Sequence, residues 1–186
     1  MSSSGTVGAD ERLRLFLGFR LPDAAARAVA AWQHEQLGVE RVRVVPVENL
    51  HVTIAFLGSR SADEVEAVAG ALRESVHGIA QPVLTPIRYR ETRSVGMLVL
   101  ADEERRATRI AEDAHGRLAR LGVYEQESRT WLPHVTVVRF RERPRLEPSI
   151  PDLGPVTMSD AAVYMSRLRP DGAQYEVLES VPLGGG

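Results

Sequence analysis

Two segments of this chain carry the same local pattern, His51-Val52-Thr53-Ile54 and His134-Val135-Thr136-Val137, set 83 residues apart. With 5 histidines and 8 threonines in 186 residues, a repeated His-x-Thr is not expected from random placement, and His34, His77 and His115 lack it. On a strand, residues i and i+2 share a face about 7 Å apart, so each copy presents an imidazole beside a hydroxyl. Val52, Ile54 and Phe56 in the first copy, and Val135 and Val137 in the second, are then expected on the opposite face, buried under helices. Paired imidazoles suit in-line displacement at phosphorus. One neutral ring takes a proton from attacking water and one charged ring gives a proton to the leaving oxygen, each step contributing about 10²- to 10⁴-fold. The threonine hydroxyls can donate to the non-bridging oxygens. Such chemistry needs no metal and no cofactor. The alternative use of the same side chains, a metal site on His51 and His134, has Glu48 as its nearest, and distant, carboxylate.

Composition narrows the field. The 23 basic residues are all Arg, balanced by 25 Asp and Glu for a net charge of -2, and there is no Cys. Without Lys there is no phosphate-loop lysine, Schiff base or lysine adenylate; without Cys there is no thiolate nucleophile, zinc knuckle or iron–sulfur cluster. The near-neutral balance argues against a protein that coats nucleic acid, though not against a small basic cleft. Met1 to Glu11 is Ser/Gly-rich and lacks a signal peptide's basic start and apolar run. No segment has the apolar length of a membrane span, so a cytoplasmic protein without membrane association is expected.

The elements that must position the two motifs can be read from periodicity. Alternation over Arg12 to Phe19 predicts a half-buried strand, and Asp23 caps a helix over Ala24 to Leu37 that Gly38 ends. Strand-like runs follow at Arg41 to Val45 and at Leu50 to Leu57, the latter closed by Gly58. Ser61 and Glu64 form a capping box for a helix reaching Val76. Strands are expected at Val83 to Arg90 and Val95 to Leu100, a helix over Glu103 to Leu121, and then strands at Leu132 to Phe140, Val156 to Ser166 and Tyr175 to Val181. Eight strands with three helices make an α+β protein, because a doubly wound parallel sheet needs a helix at each crossover. A disordered tail over residues 1–10, a single bilobal domain over 11–183 and a frayed tail over 184–186 are expected.

With these residues in place the chain resembles the 2H phosphoesterase superfamily, and within it the RNA 2',3'-cyclic phosphodiesterases, historically called 2'-5' RNA ligases. Four segments carry the likeness in the family's order: Arg14-Leu15-Phe16-Leu17 with Leu21-Pro22, then Val45 to Gly58 around the first His-x-Thr. Pro133 to Arg139 surrounds the second, and Tyr164 to Leu168 with Gly172 to Leu178 resembles the closing hairpin. The resemblance implies two antiparallel sheets lining a central cleft, helices outside, and pseudo-two-fold symmetry. It implies metal-independent opening of a 2',3'-cyclic phosphate, on RNA ends or cyclic nucleotides, to a 2'-phosphate. A monomer is expected. His51 would be the proton donor and His134 the proton acceptor, with Thr53 and Thr136 on the phosphate oxygens. The residues alone leave acid and base interchangeable. Reversible ATP-independent 2'-5' ligation and non-catalytic binding of an RNA end are the alternative functions.

Arg139 matches an arginine that often follows the family's second motif and would neutralise the phosphate. On an ideal strand, however, it shares a face with Val135 and Val137, opposite His134, so its use requires a bulge or the end of the strand. Arg139, Arg141, Arg143 and Arg145 read as a solvated charged edge, with RNA contact the alternative, as do Arg88, Arg90 and Arg93. Trp32 and Trp131 read as core, with base stacking the alternative for Trp131; Tyr89, Tyr164 and Tyr175 read as structural.

Overall fold

Leu13, Leu15, Leu17 and Phe19 put one face of the first strand, β1 (Arg12–Arg20), into the core, as alternation requires. A computed structural model describes residues 11–170 and 172–185; the tail expected over residues 1–10, and Gly186, lie outside the described residues. After β1 come α1 (Asp23–Leu37), β2 (Val42–Val44), β3 (His51–Ser61), α2 (Val65–Val76), β4 (Val83–Glu91), β5 (Val95–Ala101) and α3 (Arg106–Arg120). The chain closes with β6 (His134–Phe140), β7 (Val156–Thr157), β8 (Asp160–Arg169) and β9 (Gly172–Pro182).

All strand pairs are antiparallel, in one curled sheet ordered β7-β4-β5-β6-β3-β1-β8-β9, with β2 beside β6. The α+β class stands. The two expected sheets are the two arms of this single sheet, and they meet at one residue pair, Val52 opposite Val135. Helix α1 covers the β2–β6 arm, while α2 and α3 pack on each other and cover β3, β8 and β9. No described helix is long and apolar enough to cross a membrane.

Several boundaries differ from those read in the sequence. Gly58 does not end β3; it passes through at φ 69° in an irregular stretch of the β1–β3 ladder, and pairing continues to Ser61. The Ser61/Glu64 box is present but opens a 3₁₀ turn, Ala62–Glu64, that leads into α2. Asp23 lies in the first turn of α1 rather than capping it. Helix α3 starts at Arg106 because Asp102 Oδ2 accepts from both the backbone N–H and the hydroxyl of Thr108, closing the first turn from outside. The run Val156 to Ser166 is two strands: Val156–Thr157 pairs with β4 on one arm, and from Asp160 the chain pairs with β9 on the other. Strand β1 is also buried on both faces, since Phe16 packs with Tyr164, Tyr175 and Ala162 in a small cluster of its own.

Candidate active site

The pairing of Val52 with Val135 places the two His-x-Thr motifs around a local two-fold axis. Carrying this antiparallel register one residue either way sets His51 across from Thr136 and Thr53 across from His134. Val52 and Val135 are 0% and 1% exposed on the helix-covered face. The four polar side chains take the other face, each half-buried.

Both imidazoles are held in the same way. His51 Nδ1 lies 2.8 Å from the Asn49 carbonyl oxygen, and His134 Nδ1 lies 2.8 Å from that of Leu132. A carbonyl only accepts, so Nδ1 carries the hydrogen in each ring and Nε2 is the atom left for proton transfer. Nε2 of His51 is 3.0 Å from Thr53 Oγ1. The His51 ring also sits among Phe16, Tyr164 and Tyr175, at centroid distances of 4.8, 5.8 and 5.4 Å. Gly18 on β1 makes this possible, since a Cβ there would stand 3.2 Å from His51 Cδ2. Burial pushes the His51 pKa down to about 4, against the upward pull of the Asn49 carbonyl and with help from the His134 and Arg139 charges.

Each motif is followed at once by a bulge. In β3, Gly18 pairs with Thr53 but Leu17 pairs with Ala55, leaving Ile54 as the extra residue. In β6, Met97 pairs with Thr136 but Gly96 pairs with Val138, leaving Val137 as the extra residue. One inserted residue flips the alternation beyond it. Arg139 pairs with Val95, two residues from Met97, and therefore shares the face of Thr136 and His134. Phe56 pairs with Phe16 on the cleft face and is 50% exposed, with the Arg14 guanidinium 4.9 Å from its ring centroid. This corrects the expectation that Phe56 is buried under helices. The bulge carbonyls are held by the covering helices: His115 Nε2 is 2.7 Å from Ile54 O, and Gln33 Nε2 donates to Val137 O at 2.6 Å. Both are buried polar residues.

Two cavities adjoin the aromatic rings and the chain that lead to His51. One, of about 750 Å³, is lined by Arg43, Asn49, Arg139, Arg169, Gln174 and Tyr175 among others; the second, of about 550 Å³, includes Arg20 and Tyr164. Glu48 and Tyr175 belong to both walls. Among the described residues no three His, Asp or Glu side chains converge as a metal-ligand set, so Glu48 does not join the two histidines. Trp131 is half-buried and donates from Nε1 to the Thr53 carbonyl at 3.0 Å, which fixes the first motif from behind. Tyr89 hydrogen-bonds Glu91 beneath the sheet, and Trp32 is core. Arg88 and Arg90 share the cleft face, two strands out from His134 and Thr136, and are exposed. Arg141, Arg143 and Arg145 lie past the end of β6, with Arg143 paired to Glu91. Sequence reasoning passed over Gly18, Gln33, Arg43 and His115. A glycine inside an apolar strand and a glutamine on the apolar stripe of a helix were the available signals.

Comparison with known proteins gives the family and the fold. Residues 19–84 match the family described as LigT like phosphoesterase. An RNA 2',3'-cyclic phosphodiesterase of Escherichia coli is 30% identical over 132 residues, 69% of this chain and 73% of the relative. One from Methanocaldococcus jannaschii is 25% identical over 179 residues, 90% of this chain and 99% of the relative. A crystal structure of Escherichia coli LigT complexed with NADP+ superposes with a TM-score of 0.79 at 25% identity, covering 95% of this chain and all of that one. Shared sequence over most of a relative, joined to a shared fold, makes this chain a phosphoesterase of the LigT-like family.

Proposed function

We propose that the protein opens 2',3'-cyclic phosphate ends of RNA to 2'-phosphates by a two-histidine mechanism that uses no metal. The observation that carries this reading is the local two-fold axis at Val52 and Val135, which gives a phosphate one imidazole and one hydroxyl from each strand. The relatives named RNA 2',3'-cyclic phosphodiesterase support the substrate, and the LigT complex with NADP+ supports a site that accepts nucleotides. All four groups come from one chain, which supports action as a monomer.

In the proposed reaction, His134 Nε2 takes a proton from water as the oxygen attacks phosphorus, and His51 Nε2 delivers a proton to the departing 3'-oxygen. Thr53 and Thr136 donate to the non-bridging oxygens, and Arg139 offsets their charge. At neutral pH the desolvated His51 ring, half-buried among its aromatic neighbours, is uncharged in the free enzyme. An anionic phosphate beside it favours the imidazolium, so His51 acquires its proton together with the substrate.

The test is hydrolysis of a short RNA ending in a 2',3'-cyclic phosphate, in excess EDTA, by wild type, His51→Ala and His134→Ala, with phosphorus NMR locating the product. A 2'-phosphate formed by wild type and lost in both variants is expected. A substrate with sulfur as the bridging 3'-atom, which leaves without a proton, restores turnover to His51→Ala and not to His134→Ala. Wild type inactive in EDTA, or rescue of the other variant, overturns the mechanism.

A further inference from the structure

The larger cavity does not enclose the histidines; it opens beside them and gathers guanidinium groups. Arg43 on β2 stands directly across from Arg139 on β6, so the two share a face. Like charges directly opposite on a sheet repel. Neither has an ion-pair partner among the described residues, nor does Arg169, which lines the same cavity from the β8–β9 tip. Glu48 on the cavity wall is not paired with any of the three. Gly172, at φ 138°, lets the Arg43 guanidinium lie against the hairpin, where a Cβ would stand 1.8 Å from Arg43 Nη2. Asn49 ties that hairpin to the catalytic strand: its Nδ2 donates to the Ala173 carbonyl at 2.7 Å, while its own carbonyl accepts from His51.

The cavity also lies at a useful distance. With Val137 bulged out, Arg139 follows Thr136 by one side-chain repeat of the strand, about 7 Å. That is comparable to the step between consecutive phosphates on a nucleotide chain. Arg139 thus borders the reacting phosphate, and Arg43 across from it and Arg169 on the same cavity, without carboxylate partners among the described residues, call for a second anion about one nucleotide step away.

We propose that Arg43 and Arg169, together with Arg139, form a subsite for a second phosphate of the substrate, the one on the 5' side of the terminal nucleoside. The preferred substrate is then an RNA chain end, or a 5'-phosphorylated nucleoside 2',3'-cyclic phosphate, over the bare nucleoside 2',3'-cyclic phosphate. This rests on the cyclic-phosphodiesterase reading above.

The test compares kcat/KM for adenosine 2',3'-cyclic phosphate and for its 5'-phosphorylated form, with wild type, Arg43→Met and Arg169→Met. Wild type is expected to favour the 5'-phosphorylated substrate by about 10-fold or more, and each variant to lose most of that preference through KM. Thermal unfolding of Arg43→Met at or above the wild-type Tm shows that the fold is kept. A wild type without preference, or variants that keep the wild-type ratio, overturns the subsite while leaving the phosphodiesterase reading intact. Turnover of neither substrate overturns both.

Discussion

Ile54 and Val137 are equivalent residues: each is the extra residue immediately after a motif threonine, and each has its carbonyl oxygen held by a buried side chain of a covering helix, His115 for Ile54 and Gln33 for Val137. The residues beyond the two bulges differ. One copy turns Phe56 into the cleft and the other turns Arg139 into it, so a near-symmetric pair of His-x-Thr strands has one aromatic end and one cationic end.

The helix side chains are expected to matter for stability. His115→Phe keeps a ring against Tyr124, now at 4.8 Å, but removes the donor to Ile54 O. Stranding a buried carbonyl costs about 1–3 kcal/mol. Urea unfolding should show the midpoint falling at constant slope, and an unchanged midpoint would mean that this carbonyl is satisfied elsewhere.

Acid sensitivity has a definite sign. The folded pKa of His51 is about 4 against an ordinary 6.5, so the unfolded chain binds the proton more tightly. Stability from this group is complete above pH 6.5 and is lost as pH falls from there towards 4, by up to about 3 kcal/mol. A His51→Phe protein, packed among the same rings, should lose less stability than wild type between pH 7 and 4.5. Parallel losses in the two proteins would assign the acid sensitivity to other groups.

The pH dependence of turnover should carry the same signature. kcat/KM reports the free enzyme, so its acidic limb is expected well below 6.5, towards the His51 value of about 4. With an imidazole pair the apparent constants belong to the pair, and the limb alone does not say which ring is the acid. An acidic limb at 6.5 would show that His51 is not desolvated in solution.

Gly18 sets the position of the His51 ring. Gly18→Ala brings a Cβ to 3.2 Å from both His51 Cδ2 and the Val52 carbonyl, which the ring must yield to. A displacement of a few tenths of an ångström at a proton-transfer group is expected to lower kcat by about 10-fold, with little change in Tm. Equal kcat in the variant would show that the ring has slack.

Much of the site was legible because strand periodicity is local: His-x-Thr puts its two polar groups on one face wherever it occurs, and its repetition marked the pair. The placement of Arg139 and Phe56 was not, because strict alternation assigns both to the wrong face. A trace of the bulges does exist in the sequence, in the consecutive apolar residues Ile54-Ala55 and Val137-Val138, where a half-buried strand should alternate. Arg43 was hidden for another reason. Its three-residue strand has almost no periodic signal, and its neighbour Arg139 is 96 positions away, so only the tertiary register brings them together. The division of Val156 to Ser166 between two arms was equally invisible, since both pieces are good strand sequence and only their partners differ.

The order of strands in the sheet has a consequence for dissection of the chain. A cut in the 122–131 loop leaves His51 on one fragment and His134 on the other, yet each fragment holds strands of both arms: β6 belongs between β5 and β3, and β8 beside β1. Neither fragment can complete an arm alone. Complementation of the two should therefore be all-or-none, with fold and turnover returning together on mixing.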